Sequence, residues 1–118
     1  MTDCIEVHTT LASQEAAHKI AEILVTKRLA ACVQISGPIT SVYWWQGKIE
    51  QAQEWVCTAK TQKHLYQHIE QAIQEVHSYT VPEILATEIV EGLESYKDWI
   101  AQETERHPVR KTNGERDR

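Results

Sequence analysis

Ile39-Thr-Ser-Val-Tyr-Trp-Trp-Gln-Gly-Lys-Ile-Glu50, running on to Glu54-Trp-Val-Cys-Thr-Ala-Lys60, is the stretch whose reading decides the fold. β-branched and aromatic residues alternate on both sides of Gln46-Gly47-Lys48, the only turn-forming point between them, so the segment reads as a β-hairpin. Its second arm, from Lys48 to Thr61, contains neither Gly nor Pro. About 14 residues at roughly 3.3 Å each reach some 46 Å. A compact chain of this length has a radius of gyration near 13 Å and a diameter of about 35 Å. The surplus arm, with Tyr43, Trp44, Trp45 and Trp55, must be dried by something outside the domain, and a second copy of the chain is the simplest cover.

Outward from the hairpin, the elements fall into order. Ile5 and Val7 alternate with Glu6 and His8 as a short first strand. Ser13 is placed to cap a helix, with Glu15 in its first turn, and Ala16, Ala17, Ile20, Ile23 and Leu24 follow at helical spacing. Leu29 to Ile35 is an apolar run read as a buried strand, and Gly37-Pro38 bends or bulges it before the hairpin resumes at Ile39. Beyond Lys60, Leu65, Ile69, Ala72, Ile73 and Val76 mark an amphipathic helix. Glu83 to Ile89 supplies a last strand, and Leu93, Tyr96, Trp99 and Ile100 a short final helix. The expected domain is 1–103, followed by a polar, disordered tail over 104–118. The order β-α-β, hairpin, β-α-β and helix predicts an α+β, ferredoxin-like double split β-α-β fold, with an antiparallel sheet, its helices on one face and the other face open.

Composition narrows the function. The 118 residues suit one domain, and the formal net charge of -5 argues against nucleic-acid binding. The chain has no Phe and no basic-aromatic strand on which bases could stack. No apolar run approaches the ~18–20 residues of a membrane span, and the start lacks the pattern of a secretory signal. Cys4, Cys32 and Cys57 are odd in number and widely spaced, which predicts free thiols and a cytoplasmic location. Cys32 and Cys57 sit in apolar, strand-like settings where a thiol is inert, and no phosphate loop or nucleophile elbow is present, so no catalytic residues are expected.

Of the histidines, His64 and His68 lie off the apolar stripe of their helix and read as a solvated face. His8 ends the first strand and His77 closes the second long helix, two segments that this topology can bring to one sheet edge. Imidazoles there suit copper or another divalent cation, with further ligands from water, a carboxylate or a neighbouring subunit.

Ala30-Ala-Cys-Val-Gln-Ile35, the hairpin, Lys60-Thr61, His77-Ser-Tyr-Thr-Val-Pro-Glu-Ile-Leu-Ala86 and Tyr96-Lys-Asp-Trp-Ile100 together resemble the CutA divalent-cation tolerance family. The resemblance runs from residue 5 to about 101. It implies a tight homotrimer related in architecture to PII-like signalling proteins, and a role in tolerance of or response to copper and other divalent metals. It implies His8 and His77 as metal ligands, although the family's His-Pro-Tyr here becomes His77-Ser78-Tyr79. It also suggests lateral clefts between subunits, with Trp45, Glu54, Lys60, Tyr79 and Glu83 binding a small anionic or zwitterionic ligand. A PII-like small-molecule sensor and a stable scaffold for partner proteins are the alternative readings.

Overall fold

Ser13 starts the first helix as its side chain predicts: extended backbone places Oγ to accept the Ala16 N–H at 3.1 Å. In the computed structural model, which describes residues 3–104, that helix, α1 (Gln14–Thr26), follows strand β1 (Cys4–Leu11). Strands β2 (Cys32–Trp45) and β3 (Lys48–Gln62) form the hairpin. A 3-10 turn (Lys63–Leu65) leads into α2 (Tyr66–Val76), and β4 (Ile84–Glu88) and α3 (Glu94–Glu103) complete the order. The four strands make one antiparallel sheet in the order β2-β3-β1-β4, the ferredoxin-like arrangement expected from the pattern.

Period-two alternation along β1 sorts the sheet into two faces. Ile5, Val7 and Leu11 join Cys57 and Ala59 of β3 beneath Ala17, Ile20, Leu24, Ile69, Ala72 and Ile73 of the two long helices. Cys57 donates its thiol to the Ala17 carbonyl at 3.3 Å, and burial pushes that thiol up to about 11. The opposite face carries Glu6, His8 and Thr10 of β1 with Glu54, Thr58 and Lys60 of β3. It is not wholly bare. The C-terminal helix covers one end, where Ile100 and Cys4 are buried and Gln62 donates to the Thr104 hydroxyl at 2.7 Å. Thr104 itself is buried, so the packed chain reaches one residue past the expected boundary; the rest of the tail lies outside the described residues.

The hairpin turns on Gln46 and Gly47, with φ of 51° and 81°, the two positive values that a tight two-residue connection with native strand twist requires. Near its base the register shifts: Ser36 faces Val56 and Ile39 faces Glu54, so Gly37 and Pro38 together oppose Trp55. This is the bulge anticipated at Gly37-Pro38. The segment Leu29–Ile35 differs from expectation. Leu29 and Ala30 are buried in the connection before the strand, and β2 is an edge strand, half-buried at Cys32, Val33, Ile35 and Ser41 and exposed elsewhere. Apolar runs of this length mark burial without saying whether the chain is already paired there.

The long arms stretch the molecule to 50 × 34 × 22 Å, with a radius of gyration of 15.4 Å. At the hairpin tip Trp44 is 71% exposed and Ile49 64%.

Candidate functional site

Two polar groupings stand on the sheet face opposite the long helices. The first surrounds His8, which is opposite Thr58 of β3 and beside Thr87 of β4. Its Nδ1 lies 3.3 Å from Thr58 Oγ1, and its Nε2 lies 3.4 Å from Thr87 Oγ1. Glu6 Oε1 stands 3.9 Å from Nε2, and Glu6 Oε2 is 3.4 Å from Lys60 Nζ. Lys60 is therefore committed to Glu6, its register partner across the β1–β3 ladder. The sequence reading places Lys60 with Glu54 in a cleft between subunits. Within one chain the two stand apart: six residues along one strand amount to about 20 Å.

The second grouping is a cleft of about 800 Å³ between the hairpin and the segment after α2. Trp45, Glu54, Tyr79 and Glu83, named from the sequence for a cleft between subunits, line this one within a single chain, together with Ser41 and Tyr43. Glu54 is only 7% exposed. Its Oε1 accepts the Ser41 hydroxyl at 2.7 Å and its Oε2 accepts the Tyr79 hydroxyl at 2.8 Å. The phenol of Tyr79 is pushed up to about 12, first by burial and then by its hydrogen bond to Glu54 and the charge there. It stays protonated, and so a donor, across the neutral range.

His77 sets Tyr79 in place. The imidazole Nδ1 accepts the Tyr79 backbone N–H at 3.1 Å, which leaves Nε2–H to donate to the Thr10 carbonyl at 2.8 Å. The two rings pack with centroids 4.8 Å apart. Both ring nitrogens are thus occupied by backbone groups, and His77 ties the loop after α2 to β1. His8 is held by longer contacts to two hydroxyls, with a carboxylate nearby. A divalent ion therefore suits the donors at His8, whereas at His77 it would have to displace two hydrogen bonds. Among the described residues no group of three His, Cys, Asp or Glu side chains is placed to hold a metal ion together. His64, in the 3-10 turn, and His68, on α2, are both exposed.

Ser41, like Tyr43, is a cleft residue that sequence reasoning missed. Counting back from the Gln46-Gly47 turn pairs Ser41 with Ala52 and Ile39 with Glu54, which puts Ser41 diagonally across from Glu54 on the same face. The signal was available in the turn.

The family model described as CutA1 divalent ion tolerance protein matches residues 5–103. The chain belongs to that family. The divalent-cation tolerance protein CutA of Thermus thermophilus is 43% identical over 95 residues, which are 80% of this chain and 92% of that protein. The solved structure of the divalent cation tolerance protein from the same organism superposes with a TM-score of 0.84 at 41% identity, covering 86% of this chain and 99% of the other. The crystal structure of CutA1 from Oryza sativa gives a TM-score of 0.87 at 33% identity, covering 89% and 96%. The CutA1 match spans β1 through the end of α3, so it takes in both the His8 grouping and the cleft. Among the described residues no helix is long and apolar enough to cross a membrane.

Proposed function

We propose that this chain serves divalent-metal tolerance, copper(II) included, as a homotrimeric binding protein of the cytoplasm and not as an enzyme. The observation that carries the assembly is the unpartnered hairpin, whose exposed Val42, Trp44 and Ile49 extend beyond the packed domain. Leu85, Val90 and Leu93 leave a second apolar patch on β4 and the segment after it. Apolar surface of this kind is stabilised by association. The free thiols of Cys4, Cys32 and Cys57 suit a reducing compartment.

For the metal, His8 is the ligand the geometry favours, with Glu6 able to add an oxygen and water completing the coordination. Titrating Cu²⁺ and Zn²⁺ into wild type, His8→Ala and His77→Ala tests this, beside sedimentation of each protein. His8→Ala should weaken binding, and His77→Ala should leave it near wild type. Equal affinities in all three proteins would overturn the ligand assignment, and a folded monomer at micromolar concentration would overturn the assembly.

A second reading, a small-molecule sensor, is favoured by one observation: the cleft holds a buried carboxylate clamped by two hydroxyls.

A further inference from the structure

Glu54 presents an electrostatic problem that its neighbours do not solve. A carboxylate this deeply buried is costly unless paired with a positive group or fully hydrogen-bonded. Its two partners are neutral hydroxyls, one on each oxygen. Two oxygens offer about four acceptor positions, so each can accept a further N–H beside its hydroxyl. Among the described residues no Lys, Arg or His forms an ion pair with Glu54 or with Glu83, the other carboxylate lining the cleft. Lys60, the base that could have neutralised the cleft, is held by Glu6 on another part of the sheet.

The walls have the complementary character. Tyr43 and Trp45 share the Glu54 face of the hairpin, and Tyr79 closes the side. The faces of aromatic rings carry partial negative charge and attract cations. Ionisable groups and π-systems in this cleft therefore favour one sign of ligand. Among the described residues of one chain, an anion would meet two carboxylates and no base. A hard divalent ion would want six or more oxygens, and the cleft's carboxylate oxygens are already partly used.

We propose that the cleft binds a small organic cation, a protonated alkylamine, with Glu54 as its counter-ion and N–H acceptor and Tyr43 and Trp45 against its alkyl carbons. The proposal rests on reading the cleft as a ligand site, and it replaces the anionic ligand expected from the sequence. It is independent of the metal site at His8.

Isothermal titration of the full chain with butylammonium, and separately with butanoate, tests it. Butylammonium should bind saturably and butanoate should not. Glu54→Gln keeps the side-chain shape and an oxygen acceptor for one hydroxyl, the other turning to accept from the amide N–H, and should weaken butylammonium binding by about tenfold or more, as expected on losing a charge-assisted bond. Trp45→Leu, at the exposed hairpin tip where folding is least at risk, should weaken it as well. Binding of butanoate in preference would keep the cleft as a site and overturn the cation. Unchanged affinity in both variants, or no binding of either probe, would overturn the proposal, and the second result would remove the cleft as a ligand site too.

Discussion

Replacing Tyr79 by Phe removes one oxygen atom and tests the clamp on Glu54. The ring keeps its packing against His77, and the backbone N–H keeps its bond to Nδ1. What is lost is one of the two donors to a carboxylate that is 7% exposed. A hydrogen bond to a charged group contributes about 1.5–3 kcal/mol, more than a neutral one, because the acceptor left behind is poorly solvated. With a urea slope of about 1.5 kcal/mol/M, the unfolding midpoint should fall by roughly 1–2 M at fixed protomer concentration. In a Glu54→Gln background the same change should cost only about 1 kcal/mol or less, the difference being the coupling between the two side chains. The pH dependence gives a second reading. Tyr79 is raised from the ordinary phenol value of 10.0 to about 12, so its protonated form is favoured by folding. The folded state binds more protons than the unfolded state in that window, and stability falls as pH rises. The contribution of Tyr79 is complete below pH 10 and disappears as pH passes through about 12. Wild type should lose its advantage over Tyr79→Phe across those two units. A cost below ~0.5 kcal/mol that is the same with Glu54 or Gln at that position would refute the clamp.

Gly37→Ala should be among the most damaging small substitutions, because the new Cβ would stand 2.7 Å from Trp55 Cδ1 and 3.0 Å from its Cα at a φ of +147°. A loss of at least ~2 kcal/mol in denaturant midpoint is expected from the backbone strain and the collision together. Gly47→Ala has φ of +81° and open space around it, so it should cost only about 1 kcal/mol; equal effects would contradict the close approach at Gly37. Cys57, pushed up to about 11 by burial, should resist iodoacetamide near neutral pH until the chain is unfolded, and mass spectrometry of the alkylated protein would reveal early modification if the thiol were accessible.

Local chemistry made much of this legible. The Ser13 cap, the Gln46-Gly47 turn and the Gly37-Pro38 bulge each depend on a few adjacent residues, and each is where the pattern placed it. The β-α-β order follows from the change between period two and period 3.6. The partner of Lys60 was not readable in the same way. Glu6 meets it only through the β1–β3 register, which joins segments more than fifty residues apart. His77 shows a related limit. Its position beside a strand edge was foreseeable, but the backbone groups that occupy both its nitrogens depend on how the loop to Tyr79 closes.

The extra residue at Gly37-Pro38 also switches which parity of β2 residues occupies each face. Below it the even-numbered side chains of β2, Cys32, Gln34 and Ser36, share the face of Thr58; above it the odd-numbered ones, Ser41, Tyr43 and Trp45, share the face of Glu54. Deleting either residue of the bulge would leave a one-to-one ladder, with Ser36 still facing Val56 and Ile39 still facing Glu54, so Ser41, Tyr43 and Trp45 would keep the Glu54 face while the local bend and extra twist were lost. A single-residue deletion should therefore be accepted at this bulge more readily than elsewhere in β2, where it would shift the register.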